Sequence, residues 1–139
     1  MEKPSLTMAQ QVAEAAAVFE KQRTGHAPQA VTVVLGDETL VITLHGALSP
    51  AERALAQTPE GAAQMRDFHR QLFNDSADWL RQQIKRITGV EVREAKAEIE
   101  TTTGTLVQVF TTGTVVQVFL LASGIPAVTW NGSGIINSS

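Results

Sequence analysis

Catalysis and metal binding in a small protein rest on histidines, carboxylates and nucleophiles held close together. The sequence offers three histidines, His26, His45 and His69, in three different predicted elements. A histidine-based zinc site takes ligand pairs at short spacing, completed by a carboxylate or a thiol. No such pairing is present. Asp67-Phe68-His69 holds a carboxylate and an imidazole two residues apart, but on a helix such neighbours face different ways and form no acid-base dyad. Arg81, Lys85 and Arg86 cluster where a helix is expected to end, and there they read as partners of the helix dipole rather than as an anion site. The glycine pieces Gly132-Ser133-Gly134 and Thr-Gly-Thr lack the strand-loop-helix setting and the lysine of a phosphate loop. The threonine-rich turns offer hydroxyls, but threonine is equally a strand former. With no cysteine in the chain, disulfides, thiolate metal sites and thiol catalysis all drop out. No nucleophile, base and orienting group can be assembled. The reading is a noncatalytic protein with no cofactor and no metal.

The elements that would position these residues come next. A chain of 139 residues, 43% hydrophobic and 18% charged, is one folded domain with a real core. A net charge of -3 leaves no electrostatic footprint for nucleic acid. The opening MEKPSLTMAQQ has no apolar signal core. The most apolar run, residues 115 to 128, is interrupted by Gln117, Ser123, Gly124 and Pro126 and falls short of the roughly 20 residues a spanning helix needs. The expected address is the cytoplasm, without a direct membrane span, and there the pattern Asn131-Gly132-Ser133 carries no glycosylation meaning.

Residues 6 to 23 read as a helix, with Val12, Ala16 and Phe19 on one stripe and Thr24-Gly25 as its stop. Strands follow over 31 to 35 and 40 to 44, joined by a turn at Gly36-Asp37. Ser49-Pro50-Ala51-Glu52 is a helix start with a capping box, and that short helix ends near Gln57. A long helix begins at Thr58-Pro59 and runs to about Ile87. Its expected buried face is Met65, Phe68, Leu72, Trp79, Leu80, Ile84 and Ile87. Asn74-Asp75-Ser76 are weak helix formers, yet the apolar phase continues past them. Val90 to Glu100 alternates as a strand, with a phase slip at Arg93-Glu94 that suggests a β-bulge. The fold class is therefore α+β, a two-layer domain in the order α-β-β-α-α-β-β-β. Helices cover one face of a largely antiparallel sheet. Residues 1 to 121 form the domain, and 122 to 139 form an uncharged Gly/Ser-rich tail.

One phrase is written almost twice. Thr102 to Phe110 and Thr111 to Phe119 differ only at Leu106 and Val115. Two nine-residue copies cannot stack as a solenoid, and one strand across both is broken by Gly104 and Gly113. A hairpin between the copies closes in two ways. A two-residue Thr112-Gly113 turn sets Gln108 opposite Gln117, whereas a three-residue Thr111-Thr112-Gly113 turn sets each Gln opposite a Val. Either makes the second copy the last strand of a β-meander. All 11 basic and 14 acidic side chains lie in the first 100 residues, and none lies beyond. Thr114, Val115, Val116, Gln117, Val118, Phe119 and Leu120 are thus an edge without charge or proline, the devices that normally protect an edge. The edge is covered by the chain's own tail or pairs with another subunit. Of the two tryptophans, Trp79 reads as core and Trp130 as a docking anchor.

Several phrases together resemble a known family. They are Phe19-Glu20-Lys21-Gln22-Arg23-Thr24-Gly25 followed by Pro28, the strand pair around Gly36-Asp37, and LSPAERALAQTPEG over 48 to 61. ITGVEV over 87 to 92 and the turn before VQVF over 101 to 110 complete the set. The stretch from about 8 to 110 resembles the MpsC family, small bacterial proteins associated with a sodium-translocating, membrane-potential-generating system. The resemblance implies a soluble accessory or regulatory role beside membrane-transport subunits and supplies no catalytic residues. Family members typically finish soon after the first VQVF-like strand, so the second copy and tail are extra here. The first expectation for function is a noncatalytic interaction module that self-associates into a homo-oligomer through the C-terminal sheet. The second is the sodium-system subunit.

Overall fold

The computed structural model describes residues 7–112. They form α1 (Met8–Thr24), β1 (Ala30–Leu35), β2 (Thr39–His45), α2 (Pro50–Leu55), α3 (Pro59–Thr88), β3 (Glu94–Glu100) and β4 (Thr105–Thr111). The class is α+β, and these seven elements follow the expected order. The expected eighth element, the second copy of the repeat, lies outside the described residues. So do Trp130, the tail and the boundary between residues 121 and 122.

Local chemistry explains the helix starts. The Thr7 hydroxyl accepts from Gln10 N at 3.1 Å while the Gln10 side chain accepts from Thr7 N at 2.9 Å, so the helix begins one residue later than Thr7 itself. Ser49 and Glu52 make the same reciprocal pair at α2, with Pro50 at the first helical position. The 30-residue α3 starts from a Thr58 cap and ends at Gly89, which takes a left-handed φ of 76°. It passes unbroken through Asn74-Asp75-Ser76, because the Ser76 hydroxyl bonds back to the Leu72 carbonyl and does not compete for the chain.

The four strands are antiparallel in the order β1-β2-β4-β3. Leu40, Ile42 and Leu44 of β2, Leu106 and Phe110 of β4, and Ala95, Ala97 and Ile99 of β3 line one face. α1 and α3 pack together over that face, α1 above β1 and α3 above β3. The alanines of β3 let α3 approach closely.

Two expectations change. The buried stripe of α3 is Gly61, His69, Phe73, Ala77, Leu80 and Ile84, whereas Phe68 is 48% and Trp79 38% exposed. The helix must satisfy the sheet and α1 together, and that rotates its face by about one residue from the apolar count. Trp79 stacks on Phe19 of α1, with centroids 6.0 Å apart, and is not enclosed in the core. The phase slip at Arg93-Glu94 is where the strand begins: Glu94 pairs with Thr111 and Arg93 N also donates to the Thr111 carbonyl at 2.9 Å, so two residues meet one, as the expected bulge requires.

The larger correction concerns β4, the first copy of the repeat. It lies between β2 and β3, paired with both over nearly its whole length. Neither edge is open, so the expected hairpin with the second copy has no place to form on it. Gln108 faces the helices with Leu106 and Phe110, opposite Ile42 and Ala97, and is fully buried. Leu and Phe carry more apolar surface than Val107 and Val109, and they set the phase of the strand.

Candidate functional site

The three histidines take separate partners. His26 donates from Nε2 to the Gly46 carbonyl at 3.0 Å, joining the end of α1 to the end of β2. His45 bonds the Thr32 hydroxyl across the β1–β2 pair at 3.1 Å. Among the described residues, no three His, Asp or Glu side chains converge as a metal site.

His69, 1% exposed, meets a carboxylate that the local sequence does not reveal. Its Nε2 lies 3.0 Å from Oε2 of Glu52 on α2. Burial pushes the Glu52 carboxyl up, but the Ser49 amide and His69 outweigh it, and the group is held below its ordinary value of 4.5. Glu52 therefore serves two helices. One oxygen closes the capping box of α2 and the other holds α3. The signal lay in the capping box, where a carboxylate spends only one oxygen. What hid the pairing is the α2–α3 elbow, which brings residues 17 apart into contact. The elbow depends on Gly61: a Cβ there would stand 1.8 Å from the Leu55 carbonyl oxygen. A His-carboxylate pair can move a proton. This one is enclosed between helices, with the Phe68 ring edge-on at 5.3 Å, and it lines no part of the cleft described below.

The phrase Phe19 to Gly25 is the end of α1. Glu20 is fully buried and accepts from Arg23, whose side chain is 5% exposed and lies 4.6 Å over the Phe19 ring. The Thr24 hydroxyl donates to the Glu20 carbonyl at 2.8 Å, Gly25 takes a left-handed φ of 79°, and Lys21 Nζ donates to the Gly25 carbonyl at 2.9 Å. Trp79, Phe19 and Arg23 thus form one column that closes the α1–α3 seam. The buried charge was legible in the spacing: Glu20 stands four residues after Ala16 and eight after Val12, on the same stripe.

Among the described residues, the open edges of the sheet are its two outer strands. β3 carries Glu94, Lys96, Glu98 and Glu100, and Arg70 pairs with Glu98 at 2.9 Å. That edge is charged throughout. The β1 edge, Ala-Val-Thr-Val-Val-Leu, has neither charge nor proline, and Val34 is 59% exposed. Gly36 N donates to Thr39 O at 2.7 Å. The hydrogen-bonded pairs of β1 with β2 therefore fall on its even positions, and Val31, Val33 and Leu35 turn their backbone groups outward. At the Leu35 end of this strand is an apolar cleft of about 230 Å³, walled by Leu35, Leu40, Ile84, Val90 and Phe110. Asp37, Glu38 and Glu91 border it, and no Lys, Arg or His lines it. Thr111 and Thr112 both donate to the Glu38 carbonyl, at 2.8 and 3.1 Å, so the chain leaves β4 at the mouth of the cleft.

Residues 5–114 match the family model described as "Na+-translocating membrane potential-generating system (MpsC)". The chain belongs to the MpsC family. Its match takes in every described element and stops four residues into the second copy of the repeat. The chain is also 24% identical over 110 residues to the "Uncharacterized protein YbcI" of Bacillus subtilis (strain 168), an alignment covering 79% of this chain and 89% of that protein. No solved structure matches. Among the described residues of this MpsC-family chain, no helix is long and apolar enough to cross a membrane. The candidate interface residues Thr114 to Leu120 and Trp130 lie outside the described residues.

Proposed function

We propose that this chain is a noncatalytic interaction module that self-associates by strand pairing. Its uncharged C-terminal stretch, within Thr114 to Leu120, lies along the β1 edge of another copy, and Trp130 adds an anchor beyond it. The observation that carries the reading is the distribution of edges. The first copy of the repeat has both sides filled, β3 is guarded by charge, and β1 is uncharged with three outward-facing backbone positions.

Light scattering of the full chain, of a chain ending at Thr112, and of Val34→Lys tests this. Val34 is exposed, so a lysine there guards the edge at little cost to the fold. The full chain is expected to associate, and both variants to be monomers with unchanged helical circular dichroism. A monomeric full chain, or an oligomer that survives both changes, defeats the proposal. The family description favours a second reading, an accessory subunit of a sodium-translocating membrane system. It expects the chain to sediment with membranes only when the translocating subunits are present.

A further inference from the structure

Among the described residues, the cleft at the Leu35 end of the sheet is an apolar concavity without an occupant. At about 230 Å³ it is smaller than the roughly 300–1,000 Å³ of most metabolite pockets. Its three bordering carboxylates disfavour an anion. Glu91 has only a loose partner in Lys85, at 4.0 Å, and Asp37 and Glu38 have no cation beside them within the lining. Met8, Leu35 and Val90, each between 42% and 50% exposed, stand around the mouth. The site therefore fits two uncharged, aliphatic side chains better than any polar ligand.

The chain itself delivers such side chains. Thr112 lines the cleft and is tied to Glu38 in the β1–β2 turn, so the chain leaves β4 beside the cleft. Val115 and Val116 follow three and four residues later. An extended chain covers about 10 to 14 Å in that distance, comparable to the roughly 14 Å from β4 across β2 to the outer side of β1. A tether this short also gives the chain's own segment a local concentration in the millimolar range, which a second copy in dilute solution does not match.

We infer that Val115 and Val116 of the same chain seat in this cleft and anchor the C-terminal stretch, so that residues from Gln117 onward project past Leu35 to the neighbouring copy. The inference rests on the self-association reading only for what lies beyond Gln117. The anchor itself is a property of one chain.

The absence of native cysteine makes the test clean. Two variants, Val90→Cys with Val116→Cys and Leu35→Cys with Val115→Cys, are oxidised mildly at low protein concentration. They are compared with Thr102→Cys with Val116→Cys, whose first cysteine lies at the opposite end of the sheet. All three described positions are exposed, so the fold tolerates the changes. At least one cleft pair is expected to close an intrachain disulfide about tenfold or more faster than the control, as a tethered encounter requires. The product runs as a monomer on a denaturing, nonreducing gel. A covalent dimer would show that a second copy fills the cleft and overturns the inference. Closure no faster than the control overturns it as well. Light scattering of the same oxidised sample under native conditions reports the other proposal independently: an anchored monomer retains the cleft assignment and removes self-association.

Discussion

Gly61→Ala is the most informative single change in this protein, because helix propensity and tertiary structure give it opposite signs. In an exposed helix the substitution gains up to about 1 kcal/mol. Here the new Cβ would stand 1.8 Å from the Leu55 carbonyl oxygen, 2.9 Å from the Leu55 carbonyl carbon and 3.0 Å from the Thr58 hydroxyl. A backbone oxygen cannot rotate away. α2 must shift by more than 1 Å relative to α3, an overpacking that costs about 1–3 kcal/mol. The same shift stretches the 3.0 Å bond between Glu52 and buried His69, and an unsatisfied buried polar group adds about 1–3 kcal/mol. After the propensity gain, the net loss is about 1–5 kcal/mol, read as a lower urea midpoint by circular dichroism with the slope unchanged. If the loss runs through the elbow, Gly61→Ala and Glu52→Gln together cost less than the sum of the two. A neutral or stabilising Gly61→Ala would refute the close approach of α2 to α3 and, with it, the account of His69.

Phe73→Ala should cost about 3–5 kcal/mol, because Phe73 is 1% exposed and packs on Phe110 with centroids 5.8 Å apart. Phe68→Ala, at a half-exposed site, should cost under about 1.5 kcal/mol in the same urea titration. Because the Glu52 carboxyl is held below 4.5, its stabilising contribution is complete above that pH and is lost as pH falls through the depressed folded value. The stability gap between the native chain and Glu52→Gln should therefore close as pH falls below about 4.5; a gap that persists unchanged to pH 3 contradicts the assigned pairing.

The sequence by itself determined the elements and their ends. Thr7, Ser49 and Thr58 cap helices, and Gly25 and Gly89 end them, through contacts within four residues of chain. The strand phases of β2 and β3 follow from alternation that any pleated strand imposes. The α+β class and the family resemblance were legible for the same reason, since both rest on short contiguous phrases. Tertiary structure alone decided which faces and edges are used. The α3 stripe is set by two neighbours at once, the sheet and α1, so Phe73 is buried and Phe68 is not. His69 meets Glu52 only because Gly61 lets two helices touch. Strand order is a long-range choice among backbones that all offer the same hydrogen bonds, and no local pattern encodes it. By placing β4 between β2 and β3, the fold closed the edge that the repeated phrase offered and, among the described residues, left β1 at an outer edge instead.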